Sequence, residues 1–338
     1  MRRRASPGCS TLPDTAALLA AYLGERWGPV AISGVRRFHG GSSRETLRFD
    51  CAWADGSHAL VLRRDLPASL IETDRTAEFR ALQTFHGSAV PVPEPLFLDT
   101  GTALGAPGFI MREAADVRAA GLMEADPYGA DAGAVGAQMF TILGHIHGRN
   151  PACLADVLPA ATHPAAERLA HWAAVIDADA LGPEPIVRAA IRWLQRHLPP
   201  PPLRQSIVHG DYRSGNFLVD AANRIVAVVD WEMVHLGDAH EDLAWAMDPL
   251  WAHGSDRPGG TIAEADAIAT WEAASGLACN APTLHWWRVY AQVMGLAIWI
   301  SSAREVADGR SVDPVLMFAG LYPYRFHNAT LARTLAGL

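Results

Sequence analysis

The sequence predicts an α+β fold in two lobes, a small strand-rich N-terminal part followed by a larger, mainly helical one. Three observations carry that expectation. The chain has 338 residues, long for a single core, with half of them hydrophobic and 19% charged. Its first 113 residues hold several short apolar strands broken by glycine and proline. Beyond them the apolar residues recur mainly at helical spacing.

In chain order, residues 15–27 read as a helix. Residues 35–49 (VRRFHGGSSRETLRF) read as strand, turn, strand. Gly40, Gly41, Ser42 and Ser43 allow close backbone approach, so their amides could cover phosphates, although an ordinary hairpin turn needs no more than the same residues. Residues 59–64 (ALVLRR) form a third strand, and residues 74–85 a helix with Phe79, Leu82 and Phe85 on one face. Residues 90–95 (VPVPEP) are a stiff extended link, because proline fixes φ and restricts the residue before it. Strands at 96–98 and 108–113 follow, which sets the lobe boundary near Glu113, with lobes at 1–113 and 114–338.

Residues 131–149 read as a helix with Val135, Met139, Ile142 and Ile146 on one face. His145 and His147, two apart, cannot share a helix face as metal ligands would, so each is expected to be packed or solvent-facing. Residues 199–202 are a proline run that stiffens the approach to the segment around which the chain is organised, residues 207–242 (IVHGDYRSGNFLVDAANRIVAVVDWEMVHLGDAHED). There, 207–208, 216–219 and 224–229 read as short strands, the last two joined by a loop at 220–223. Asp211, Asn216 and Asp230 stand at strand edges around this hairpin and can converge. They are candidates for a base and two metal ligands, against the plainer reading of aspartates in turns. Phosphoryl transfer asks mainly for charge neutralisation and positioning, for which hard oxygen ligands and Mg²⁺ are suited.

Asp238 to Glu241 (DAHE) is expected to be a capping box, opening a helix with Leu243, Met247, Leu250 and Trp251 on its apolar side. His235, Asp238, His240 and Asp242 could instead be a metal cluster, but caps account for the acids. Helices at 262–274 and 282–303, rich in tryptophan, complete the chain. The apolar stretch 289–300 is too short to span a bilayer and no membrane association is expected.

Composition excludes several classes. All 28 basic residues are arginine and there is no lysine, which removes a P-loop and any Schiff-base mechanism. A net charge of −8 without a basic stripe argues against a nucleic-acid partner. Cys9, Cys51, Cys153 and Cys279 form no CxxC pair, so reduced thiols and a cytoplasmic location are expected. The start, MRRRASPG, lacks an apolar run and reads as a frayed terminus rather than a signal peptide.

His209, Gly210 and Asp211, with Asn216 five positions on and Asp230 at a strand end, resemble the aminoglycoside phosphotransferase and choline kinase family. That family is a small-molecule branch of the protein-kinase fold. The resemblance implies a protein-kinase-like two-lobed fold, with an antiparallel sheet and one helix in the N-lobe and a mainly helical C-lobe. It implies ATP and Mg²⁺, with Asp211 as catalytic base and Asn216 and Asp230 as metal ligands. Arg63 takes the place of the kinase lysine and Glu78 that of its helix partner. Gly40 to Ser43 would cover the phosphates, and the hinge from Met111 to Glu113 would line the adenine. By the same resemblance His209 holds the loop and Asp242 bonds its backbone; Trp286, Trp287 or Arg288 could contact substrate, against the plainer reading of the tryptophans as core.

The segments LRRDLPASLI, HGDYRSGN, VVDWEMVHLGD and HEDLAW most resemble the phosphotransferase domain of acyl-CoA dehydrogenase family 10 and 11 proteins. In that branch arginine is normal at position 63, and the implied acceptor is a hydroxy acid or its acyl derivative. The alternatives are an aminoglycoside or other antibiotic kinase, a non-catalytic nucleotide-binding pseudokinase, and a protein kinase. The last is disfavoured by the lack of an Ala-Pro-Glu segment after Asp230. The sequence leaves open the acceptor, ATP against GTP, and the oligomeric state.

Overall fold

Alternating apolar residues build a sheet at the start of the chain. The computed structural model describes residues 12–38, 44–54, 56–65 and 75–337, which fall into two units, Met1–Phe79 with Pro93–Ala115 and Arg80–Val92 with Asp116–Leu338. In the first unit, helix α1 (Leu12–Trp27) precedes β1 (Ala31–Arg37), β2 (Arg44–Trp53) and β3 (Gly56–Asp65). Helix α2 (Arg75–Phe85), which runs across the division, and strands β4 (Pro95–Asp99) and β5 (Gly108–Arg112) follow.

The five strands form an antiparallel sheet in the order β1-β2-β3-β5-β4. Leu47, Phe49 and Cys51 alternate inward along β2 and join Leu19, Leu23, Leu60, Leu62 and Ile110 in one core. Each fully buried side chain of this kind contributes about 1.5–3 kcal/mol. β3 is central, buried from Leu60 to Arg64, so its two arginines leave on opposite faces. β1 starts at Ala31, earlier than the sequence suggests, because Ile32 pairs with Cys51. The unit holds α1 as well as the one helix implied by the resemblance.

The second unit is helical around two small ladders. Helices α3 (Ala132–Gly148), α4 (Pro164–Asp179) and α5 (Pro185–Arg196) lead to β6 (Ser206–Val208), β7 (Phe217–Val219), β8 (Ile225–Val228) and β9 (His235–Gly237). Helices α6 (His240–Ala246), α7 (Glu264–Ser275), α8 (Ala281–Ala307), α9 (Pro314–Ala319) and α10 (Tyr322–Ala336) complete it. β6 pairs with β9, and β7 with β8, both antiparallel.

α8 packs against α4, α5, α6, α9 and α10, and α3 packs closely on α7. A Cβ at Gly144 would lie 2.5 Å from that of Ala274, so the α3–α7 approach requires glycine. Among the described residues no helix is long and apolar enough to cross a membrane.

Candidate active site

β6 delivers the chain into the loop at His209, which is fully buried. Its Nδ1 accepts the Asp211 N–H (3.2 Å), so the hydrogen sits on Nε2, which donates to the Val229 carbonyl (3.1 Å). Burial pushes the His209 pKa below its usual value, which keeps the ring in this neutral tautomer. Gly210 adopts φ +87°, and a Cβ there would lie 2.6 Å from the Met233 carbonyl oxygen. The Asp242 carboxylate, on α6, then accepts the N–H groups of His209 (2.6 Å) and Gly210 (2.9 Å). The loop is thus held by its own histidine and by a distant acid.

These contacts present Asp211 with both carboxylate oxygens engaged. Oδ1 accepts from the Trp245 indole (2.7 Å) and Arg213 Nε (3.0 Å), and Oδ2 accepts from Asn216 Nδ2 (2.7 Å). Asn216 Nδ2 also donates to the Asp211 carbonyl (2.8 Å). Two acceptors on the nitrogen fix the amide's orientation and leave Oδ1 of Asn216 as the oxygen available to a cation.

The β7–β8 register places Phe217 beside Val228, and the Val229 N–H donates to the Asn216 carbonyl (3.0 Å). The next residue, Asp230, turns out of the strand at φ 68°, ψ 53°. A left-handed conformation is uncommon outside glycine and is a recurrent mark of functional turns. The short hairpin therefore carries Asn216 and Asp230 on adjacent strand ends.

Side chains far away in sequence steady this loop. The fully buried His147 donates from Nε2 to Asp242 Oδ2 (3.1 Å), and its Nδ1 accepts the Trp271 indole N–H (2.8 Å). Of the two placements the sequence allowed, packed or solvent-facing, His147 takes the first; its place in this chain was not foreseen. Arg213 lies 4.6 Å over the Trp251 ring, and the Tyr212 hydroxyl donates to the Met139 carbonyl (2.7 Å). The sequence reading also missed Trp245, whose only local signal is its place in HEDLAW.

One expectation changes, and two alternative readings fall away. Asp238 stands one residue before the N-cap Ala239 and accepts the His240 N–H (3.0 Å), but Glu241 does not close a box. Its buried carboxylate takes Arg168 Nε (3.0 Å), the Tyr290 hydroxyl (3.2 Å) and His235 Nε2 (3.0 Å). Burial works against that charge, but Arg168 and His235 outweigh it and hold the Glu241 pKa down at about 2. His235, Asp238, His240 and Asp242 are not one cluster: His235 joins Glu241, His240 joins Asp238, and Asp242 serves the loop and His147. Trp286 and Trp287 are buried core residues whose indoles donate to the Leu194 carbonyl (3.0 Å) and Asp238 Oδ2 (3.1 Å).

In the first unit, Arg63 on β3 pairs with Glu78 on α2 (3.0 Å), and Arg75 binds the other oxygen of the same carboxylate. Arg63 and Glu78 are 9% and 1% exposed, so the pair is buried and geometrically fixed. Arg64 is committed to the opposite face, bonding Glu45 (2.6 Å), the Leu104 carbonyl (2.6 Å) and Thr15 on α1 (3.1 Å). Met111 is buried in β5 between Val61 and Pro95. Glu113 follows the strand, its N–H bonded to the Ala59 carbonyl and its carboxylate to Arg48 (3.0 Å). Gly40, Gly41, Ser42 and Ser43 lie outside the described residues.

Residues 34–277 match the phosphotransferase enzyme family that includes the aminoglycoside phosphotransferases. The chain belongs to that family. Over 239 residues it is 27% identical to acyl-CoA dehydrogenase family member 11 of Gallus gallus, an alignment covering 64% of this chain and 28% of that protein. It is 25% identical over 229 residues to family member 10 of Mus musculus, covering 64% and 21%. The phosphotransferase chain thus spans under a third of the length of these relatives.

Among solved structures, a Ralstonia eutropha protein assigned as an aminoglycoside phosphotransferase superposes with a TM-score of 0.74 at 20% identity, covering 95% of this chain and 98% of that one. Choline kinase of Streptococcus pneumoniae superposes at 0.63 with 12% identity, covering 94% and 98%. An aminoglycoside phosphotransferase in ternary complex with ADP and hygromycin B gives 0.58 at 17%, covering 95% and 99%. These likenesses establish the kinase-like fold.

Proposed function

We propose that this phosphotransferase moves the γ-phosphoryl group of ATP to a hydroxyl of a small molecule, with Asp211 as the base. The observation that carries the reading is the Asp211 carboxylate, oriented by Trp245 and Asn216 and set beside two hard-oxygen donors on the β7–β8 hairpin. Asn216 Oδ1 and the Asp230 carboxylate fit Mg²⁺, which prefers one or two such ligands plus phosphate and water. Mg²⁺, when bound, supplies neutralisation of the phosphate charge.

The remaining work falls to the chain. Asp211 accepts the hydroxyl proton in the geometry that Trp245 and Asn216 fix, and Arg63, oriented by Glu78, steadies the phosphates. Guanidinium can bind phosphate bidentately, so arginine fills the role lysine has in kinases with a planar fork instead of a point charge. Met111 and Glu113 line the adenine through backbone groups, and Gly40, Gly41, Ser42 and Ser43 cover the phosphates.

The acceptor is a short hydroxy acid or its acyl derivative. This is supported by the likeness to the acyl-CoA dehydrogenase family 10 and 11 proteins, together with two arginines, Arg257 and Arg288, lining a cavity of the second unit. Transfer of labelled γ-phosphate from ATP and Mg²⁺ to a panel of short hydroxy acids, their CoA thioesters, choline, homoserine and aminoglycosides tests it. Labelled hydroxy acid is the expected product. Labelling confined to choline or an aminoglycoside would overturn the acceptor class, and ATP binding without transfer to any acceptor would favour a pseudokinase.

A further inference from the structure

α6 has a second carboxylate just beyond its end, Asp248, built like Asp242. Asp248 is 3% exposed and lines a 340 Å³ cavity between the end of α6, α7, α8 and α10. Its Oδ1 accepts the Leu250 N–H (2.8 Å) and His327 Nε2 (3.0 Å), and His327 Nδ1 accepts the Trp299 indole N–H (3.0 Å). A Cβ at Gly295 would lie 2.2 Å from His327 Nδ1, so α8 carries glycine where the buried imidazole passes.

The arrangement repeats the indole, imidazole and carboxylate order of Trp271, His147 and Asp242, with one difference. Asp242 has protein donors on both oxygens. Asp248 has them on Oδ1, and among the described residues no donor reaches Oδ2, which is left to the cavity. A carboxylate oxygen at a cavity wall that no protein group donates to is open to a donor from water or a ligand.

The charges around the cavity define the rest of a ligand. Arg288 is paired with Glu264 (2.7 Å) and Asp256 also lines the wall, whereas Arg257, exposed at the rim, has no acid paired with it among the described residues. Ligand pockets of this volume stand at the small end of the usual range and fix orientation with a few convergent polar groups. The cavity also lies close to Asp211. Trp245, which donates to Asp211, precedes Asp248 by three residues and packs 6.1 Å from the His327 ring. Trp251, which carries Arg213, sits between the cavity-lining residues Pro249 and Ala252.

We propose that this cavity holds the non-reacting end of the acceptor, a small organic acid that carries, besides the hydroxyl to be phosphorylated, a second hydroxyl or an ammonium that donates to Asp248 Oδ2 and a carboxylate that meets Arg257. The assignment rests on the phosphotransferase reading for the word acceptor and on the geometry alone for the ligand.

The test is calorimetric binding, without nucleotide, of 3,4-dihydroxybutyrate, 3-amino-4-hydroxybutyrate, 4-hydroxybutyrate and butane-1,2,4-triol to the wild type, Asp248→Asn and Arg257→Gln. At least one of the two donor-bearing acids binds the wild type, and which one tells hydroxyl from ammonium. Each substitution weakens that acid by about 10- to 100-fold, the worth of one charge-assisted hydrogen bond. 4-Hydroxybutyrate and the triol bind more weakly, and 4-hydroxybutyrate is indifferent to Asp248→Asn. Equal binding across the three proteins, or no binding of either acid, would overturn the proposal. An acid bound through Asp248 but never phosphorylated would contradict the kinase reading and leave the cavity's ligand class intact. A phosphorylated acid whose KM ignores Asp248→Asn would do the opposite.

Discussion

Asp242 and Asp248 stand six residues apart, each held by a histidine that is itself held by a tryptophan, yet they end differently. Asp242 spends its oxygens on the loop amides of His209 and Gly210 and so fixes the place of Asp211. Asp248 keeps one oxygen for a cavity. An imidazole that fixes a carboxylate's orientation serves equally for holding backbone or for meeting a ligand, and what occupies the last oxygen decides between them.

The largest effect should come from undoing the filled case. Asp242→Asn puts an amide donor against groups that already donate, and a shift of the loop by about 1 Å can cost on the order of 100-fold in rate. Steady-state kinetics would show a kcat loss of that size with the nucleotide KM little changed.

The two histidines separate the two chains. His147→Ala and His327→Ala each leave an indole and a carboxylate short of a partner and should each lower stability by about 2–4 kcal/mol in urea unfolding. Only His147→Ala should depress kcat beyond what its lost stability explains, while His327→Ala should raise the acceptor KM. The same kinetic signature from both would remove the distinction.

Trp245→Phe is milder. It keeps the ring but removes one donor from Asp211, so kcat should fall about tenfold, in line with one hydrogen bond to a charged group. An unchanged rate would show that Asn216 and Arg213 suffice to orient the base.

The smallest effects are read against pH. Glu241 is held at about 2, below its ordinary 4.5, so its contribution is full above pH 4.5 and lost as pH falls toward 2. His209 is also held below its ordinary 6.5, so the unfolded chain takes up its proton first and stability declines as pH drops under 6.5. Melting temperatures should therefore fall in two stages on acidification, and Glu241→Gln should flatten the lower one.

What was legible in the sequence was local. Asp211, Asn216 and Asp230 fall within twenty residues around one hairpin, so strand spacing alone brings them near each other, and Asp242 follows from a family pattern. Arg63 was placed by the resemblance, and strand alternation then sends Arg64 to the opposite face.

The rest depends on side chains meeting across the fold. His147 reaches Asp242 from 95 residues away and Trp271 reaches His147 from 124, with no spacing rule to announce either. Glu241 looked like a capping residue because DAHE has the right local form, but a half-buried arginine and a tyrosine from two other helices compete for it. α4 and α5 went unread because each begins with a proline in its first turn, easily taken for a break, although Val187, Ile191 and Leu194 give α5 a buried stripe.

The central claim is that Asp211 is the base of a phosphoryl transfer. A single-turnover assay with labelled ATP, Mg²⁺ and an acceptor that the wild type labels, run on the wild type and Asp211→Asn, tests it most directly. The account predicts equal ATP binding and transfer slowed by about 100- to 10,000-fold in the variant, the range for a lost general base. Transfer at the wild-type rate in Asp211→Asn would contradict it.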